Sequence, residues 1–426
     1  MGDREEGPRR DTELAWLLGR EDVGTSGDTG KEYLFRPGEI LVVEEDLDAD
    51  LRAELEDWGI HERDEPSEEE EEKSSALAEI GVIRFGLPHD VDVGTVVSNV
   101  RRRRDGPIPR LSPHHLFIGE PTYHGGPGQD VAPTTAAGPE LTLTQRHERG
   151  VTVGVLDTGV RTEHPWLAHF DVNGVGSYFN EDQRARLDAD SDDELDRQSG
   201  HGTFVAGLIL QQAPSASVRV CSVLDSHGVG DEASIVAGIR NLLNSGEEVD
   251  ILNLSLGGYT RKNMPPISFG RLFTEISSRG KGIAVVAAAG NNSRSRPFWP
   301  AAFKRVIAVA ALTRDGAEAA PFTNRGWWVD ACASGMDLKS TFVDWEGKVA
   351  RLAVGQRYDF PGWAVWGGTS FAAPLVAGTI AARAASDGID VTRAAFECVG
   401  AAGLEFKPDL GAVVDLARPL PPLAQS

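Results

Sequence analysis

The chain has 426 residues, 40% of them hydrophobic, and 65 acidic against 42 basic side chains give a formal net charge of −23. That length suits two or three domains with a sizeable buried core, while the charge argues against nucleic acid or an anionic membrane as partner, because both would repel it. No apolar run approaches the roughly 18 residues of a membrane span.

The opening stretch MGDREEGPRRDTELAWLLGRED has no hydrophobic signal region, and Cys221, Cys332 and Cys398 lie far apart, as suits free thiols in a reducing compartment. A cytoplasmic location is therefore expected. Residues 1–32 are polar, lack period and read as a disordered leader. Residues 33–120 read as a small α+β domain of two similar halves: a strand over 39–44, a helix over 47–58, the acidic spacer EPSEEEEEKSS, a strand over 80–86, a helix over 91–103 and a strand near 115–119. The glutamates at 68–72 read as a solvated loop, and the arginines at 101–104 as a helix C-terminus favoured by the helix dipole, both without a partner.

Residues 121–140, PTYHGGPGQDVAPTTAAGPE, are rich in Pro, Gly and Thr and read as a linker. From 141 to 426 the composition changes. GVTVGVLDTGV, SVRVCSVL, VDILNLSLG, GIAVVAAAGN and VIAVAAL are short apolar runs, separated by segments of helical period such as 231–244 and 267–279. That alternation indicates an α/β fold, a largely parallel central sheet with helices on both faces. Ligands of such sheets bind beyond the carboxyl ends of the strands, so the polar residues just after each run are the candidates for chemistry.

Asp157 follows VTVGVL and, taken alone, would be an Asx-turn or a helix cap. His201, between Gly200 and Gly202, opens one apolar helical segment, and Ser370 opens another in WGGTSFAAPLVAG. Together they are the parts of nucleophilic catalysis. A serine hydroxyl attacks only when an imidazole can take its proton, and the imidazole needs a carboxylate to hold its tautomer. An α/β-hydrolase esterase is the rival enzyme, but it needs G-x-S-x-G with the acid and base after the serine, whereas here the context is GTSFA and both precede it.

The motifs VLDTGV, HGTFVAG and GGTSFAAPLVAG, with AAAGNNS between them, resemble the signatures of the subtilisin-family serine proteases over residues 140 to about 415. The resemblance implies that Asp157 orients His201, that His201 is general base and then general acid, and that Ser370 is the nucleophile. Asn291 and the Ser370 backbone N–H would donate to the oxyanion. It further implies that Ser255, Leu256 and Gly257 line one side of the primary pocket and Ala288, Ala289 and Gly290 the other. Gly228, Val229 and Gly230 would pair with an extended peptide. The implied activity is a serine endopeptidase on peptide or protein substrates, working through an acyl-enzyme with no cofactor required.

The segment DADSDDELD at 188–196 leaves calcium open without a clear motif, since it lacks the glycine and terminal glutamate of an EF-hand loop, and a solvated acidic loop is the favoured reading. Residues 33–120 are similar in layout to the ferredoxin-like propeptides of the family. A zymogen is implied, in which this domain packs on helices near 231–279, sends GEPTYHGG at 119–126 toward Ser370 as an intramolecular inhibitor, and is removed by self-processing. The alternative is a latent enzyme or pseudoprotease whose amino-terminal domain stays bound and which acts by binding a partner. Three departures stand out: Phe204 where many members have a second histidine, a short loop NNSRSRPFWP that narrows or recharges the pocket, and a long segment 336–365 that reads as a hairpin beside the site. The apolar lining suggests an apolar residue before the scissile bond, and the acidic loops suggest basic residues further out.

Overall fold

The structure, a computed structural model, describes residues 16–27, 31–102, 108–119, 134–136, 150–175, 187–280, 282–350 and 357–417. In the amino-terminal part, β1 (Gly24–Ser26), β2 (Tyr33–Val43), α1 (Ala49–Asp57), β3 (His61–Glu62), α2 (Glu68–Glu79), β4 (Val82–Gly86), α3 (Val93–Arg102) and β5 (Leu111–Ile118) follow in order. The strands pair antiparallel in the order β5-β2-β4-β3, with β1 on β2. Apolar β2 residues Ile40, Leu41 and Val42 are fully buried, as are Leu51, Leu77 and Val97 on the three helices.

The acidic spacer is a helix rather than a solvated loop. Ser67 accepts from the N–H of Glu70 (3.3 Å) as N-cap, and the glutamates of the first turn sit at the positive end of the helix dipole. Nor is the run without partners. Buried Arg84 pairs with Glu65 (2.5 Å) and Glu70 (2.8 Å), and Glu72 accepts from the Asn241 side chain (2.7 Å). The arginine run is partly in view: α3 ends at Arg102, and 103–107 lie outside the described residues.

Residues 16–27 also depart from expectation, since they are ordered rather than part of a disordered leader. Leu17 and Val23 are buried, the Trp16 ring lies 4.4 Å from that of His227, and Arg20 pairs with Asp225 (2.8 Å). A few apolar anchors outweigh the polar composition around them. Of the linker, only 134–136 are described, and β6 (Thr134–Thr135) lies there; 1–15 and 28–30 are likewise outside the described residues.

The larger part runs through β7 (Thr152–Asp157), β8 (Asp171–Val175), β9 (Glu194–Leu195), α4 (His201–Gln212), β10 (Ser217–Ser222), β11 (Val229–Asp231), α5 (Glu232–Asn244) and β12 (Ile251–Leu254). It continues with α6 (Ile267–Ser278), β13 (Ala284–Ala288), β14 (Ile307–Leu312), β15 (Ala331–Ser334), β16 (Leu338–Val349), β17 (Tyr358–Trp366), α7 (Thr369–Asp387), α8 (Val391–Val399), β18 (Phe406–Lys407) and β19 (Gly411–Val413). A nine-stranded sheet in the order β18-β19-β15-β14-β13-β12-β7-β10-β8 is parallel except at β18–β19. Its strands are apolar on both faces because both are covered. On one face Val153, Val155 and Val286 join α4, α7 and α8. On the other, Leu156 and Leu252 join α5, α6 and the buried residues of the amino-terminal sheet in one continuous core. Segment 336–365 contains the hairpin β16–β17, which also carries β6.

Candidate active site

Asp157 ends β7 at the carboxyl edge of the sheet, where its carboxylate accepts from the N–H of Thr158 (2.7 Å) and faces His201 Nδ1 through both oxygens (2.8 and 2.9 Å). Both side chains are fully buried. A carboxylate can only accept, so Nδ1 carries a proton, and in the neutral ring Nε2 holds the lone pair. That nitrogen has no hydrogen-bond partner among the described residues. The short approach depends on Gly202, where a Cβ would stand 2.1 Å from the carbonyl of Gly159. Phe204, in place of a polar side chain, packs against Phe371 (4.6 Å between ring centroids) and Trp366 (5.9 Å), and Trp366 meets the His201 ring edge-on (5.5 Å).

Ser370 is the second residue of α7, among the first N–H groups of a helix, which lack intrahelical acceptors and sit at the positive end of the dipole. Asn291 lies against the same turn. Its Oδ1 accepts from the backbone N–H (2.9 Å) and hydroxyl (2.8 Å) of Thr369, so its amide group is left as the donor. Thr369 in turn accepts from the N–H of Gly290 (2.9 Å). A second device fixes the helix start. Pro374 has no N–H for the carbonyl of Ser370 four residues earlier, and the Ser255 hydroxyl donates to that carbonyl instead (2.7 Å). Asn324 braces the adjoining loop, donating to the carbonyl of Ala289 (2.8 Å) and accepting from the N–H groups of Asn292 (3.2 Å) and Arg294 (2.9 Å).

β5 runs into this site. It pairs antiparallel with β11, placing Ile118 opposite Val229 and Phe117 opposite Gly230. Ile118 exchanges both backbone bonds with Gly257 (2.9 and 3.0 Å), Gly119 donates to the carbonyl of Gly228 (2.9 Å), and the Ser370 hydroxyl donates to the carbonyl of Gly119 (2.7 Å). An extended segment therefore lies between the edges at 228–230 and 255–257 with its end at the serine. The contacts expected for 120–126 fall outside the described residues.

Of the residues expected from the sequence, Asp157 lies against His201, Asn291 and Gly290 lie against Thr369 next to Ser370, and Gly228, Val229, Gly230 and Gly257 lie along the end of β5. The Ser255 hydroxyl holds the helix start rather than facing the cleft. Thr369 and Asn324 were not singled out as parts of the site, and only the company of Thr369 in GGTS offered a signal; Phe298 lies in the short loop expected to narrow the pocket.

The acidic loop is less solvated than its composition suggests, with Asp188 and Asp196 buried. Asp188 accepts from the N–H groups of Asp192 (3.0 Å) and Asp193 (3.1 Å), and Asp196 from the N–H of Ala189 (2.8 Å). Carboxylate oxygens of Asp188, Asp190 and Asp192, and separately ligand atoms of Asp190, Asp196 and His227, lie within 4.8 Å of one another. Desolvation and then the neighbouring Asp196 and Asp192 push the Asp190 carboxyl up. These are the residues that could hold a cation. The cysteines are buried and unbridged, and burial pushes the Cys221 thiol up to about 12.

Residues 148–391 match the model of the subtilase family. The thermophilic serine proteinase of Bacillus sp. (strain AK1) is 30% identical over 349 residues, covering 75% of this chain and 75% of that protein. The major intracellular serine protease of Bacillus subtilis (strain 168) is 32% identical over 259 residues, 57% of this chain and 71% of the relative. A solved cold adapted subtilisin-like serine proteinase superposes with a TM-score of 0.48 at 22% identity, covering 66% of this chain and 94% of that one. The family match spans more than half of the chain and falls on the segment that holds Asp157, His201, Asn291 and Ser370; the chain belongs to the subtilase family and is a serine endopeptidase with the subtilisin-like α/β fold.

Proposed function

We propose that the chain is a zymogen-like endopeptidase, held latent by its own amino-terminal domain, which it cuts within the segment following Gly119. Ser370 attacks the substrate carbonyl while His201 Nε2 takes the hydroxyl proton, and Asp157 stabilises the imidazolium through Nδ1. The Asn291 amide and the Ser370 N–H strengthen their bonds as charge gathers on the oxygen. His201 then gives the proton to the leaving amine, and water, activated by the same nitrogen, releases the acyl group. The three buried, unbridged thiols suit a reducing, cytoplasmic setting.

The observation that carries the reading is the bond from Ser370 to the carbonyl of Gly119, at the end of a strand paired on both sides as a peptide substrate would be. Before attack the serine hydroxyl must leave that carbonyl and turn to His201, so a chain seated in this way is inactive until β5 yields. Intact mass and hydrolysis of an unfolded protein substrate, compared between the wild type and Ser370→Ala, test the proposal. Loss of an amino-terminal fragment and hydrolysis by the wild type alone are expected; a fragment lost equally from both would refer the cut to another protease.

A further inference from the structure

The two walls of the primary pocket, Ser255–Gly257 and Ala288–Gly290, should enclose a slot for the side chain that precedes the scissile bond. The Phe298 ring lies against the glycines of both walls. A Cβ built on Gly257 would stand 2.1 Å from Cε1 of that ring, and one on Gly290 would stand 3.0 Å from its Cδ1, so both wall glycines lie flat against the same phenyl group. Phe298 is fully buried.

The ring has no retreat. Trp299, next in the chain, exchanges both backbone bonds with Gly258 (2.8 and 2.9 Å), and the carbonyl of Phe298 accepts from Ala302 (2.8 Å). Tyr259 meets the phenyl ring edge-on at 5.2 Å, and the Arg296 guanidinium lies over the Tyr259 ring at 4.3 Å. Asn324 donates to the Tyr259 hydroxyl (3.2 Å), tying the stack to the loop that carries Asn291.

We infer that Phe298 is a specificity-determining residue that fills the primary slot, so that the enzyme cleaves after residues with little or no side chain: glycine, alanine or serine. This rests on reading 255–257 and 288–290 as the walls of the primary pocket. The apolar lining that suggested an apolar residue before the scissile bond is, on this account, the plug itself.

The test uses the full chain as wild type, Phe298→Ala and Phe298→Val, on peptide anilides that differ only in the residue before the scissile bond: Gly, Ala, Leu or Phe. Rates are expressed per serine reactive with a fluorophosphonate, which places no side chain in the slot and so counts correctly folded sites in each protein. The wild type is expected to prefer Ala over Phe by about 100-fold, roughly the burial energy of one aromatic side chain, and Phe298→Ala to raise the Phe-to-Ala ratio by a similar factor, with Phe298→Val between them. A wild type that cleaves after Phe or Leu as readily as after Ala, or a ratio unmoved by both substitutions, would overturn the assignment. Absence of fluorophosphonate labelling in all three proteins after intact mass shows the amino-terminal fragment lost would instead overturn the acylation at Ser370, and the slot assignment with it.

Discussion

Pro374 and Ser255 form one unit although they stand 119 positions apart in the chain. The proline withholds an N–H from the carbonyl of Ser370, and the hydroxyl of Ser255 supplies one. Ser255→Ala should leave that buried carbonyl unsatisfied and cost about 1–3 kcal/mol of stability. In a Pro374→Ala background the restored N–H should remove most of that cost, read by denaturant unfolding as a double-mutant cycle; equal losses in both backgrounds would contradict the pairing. Asn291→Ala should lower kcat by about 100- to 1000-fold, a figure known for a subtilisin, and change KM much less. The triad and Asn291 were legible because each is a chemically distinctive residue in a short motif. Ser255 as donor to the Ser370 carbonyl and Thr369 as partner of Asn291 were not read, because their partners come from elsewhere in the chain and only folding makes them neighbours.

At the level of elements, β5 shows both what sequence could supply and what it could not. Its apolar run marks a strand, but His114 and His115 within it give no hint that they sit at a buried junction with α5. His114 faces Glu39 through Nδ1 (2.6 Å) and Asp231 through Nε2 (3.6 Å), and the Ala233 N–H also points at Nε2 (3.2 Å). Only a neutral ring can accept that N–H, but two carboxylates outweigh one amide. Burial lowers the His114 pKa, but Asp231 and Glu39 outweigh it and raise the value to about 9. Asp231 is held well below the usual carboxylate range against its burial, by His114, Arg36 and Lys73. A raised histidine contributes its full stabilisation below about 6.5 and loses it as pH rises through about 9, while the depressed carboxyl of Asp231 contributes above about 4 and loses its part as pH falls further. The melting-temperature advantage of the wild type over His114→Gln should therefore shrink between pH 6.5 and 10; a constant gap would contradict a charged His114. The α2 helix escaped notice for a related reason. Five consecutive glutamates carry no apolar period, and only the Ser67 cap and the partners Arg84 and Asn241 explain why they form a helix.

Over the whole molecule, the amino-terminal part is joined to the rest by a six-stranded sheet that includes β11, by a core continuous with α5 and α6, and by polar pairs such as Arg20–Asp225 and Asn241–Glu72. The alternation of apolar runs and helical segments made the parallel sheet legible, whereas the joining of the domains depends on register and shape that no local pattern encodes. Burial of apolar surface across the junction favours the closed state, so a single lost strand bond should loosen β5 rather than detach the domain. Ile118→Pro removes the N–H that donates to Gly257 and should loosen the end of β5. The first measurement is the rate of fluorophosphonate labelling, followed by intact mass, for the wild type, Ser370→Ala and Ile118→Pro. Slow labelling of the wild type, faster labelling of Ile118→Pro and none of Ser370→Ala are expected. Labelling that persists in Ser370→Ala would contradict the assignment of the nucleophile, and equal rates for the wild type and Ile118→Pro would contradict a cleft occupied by β5.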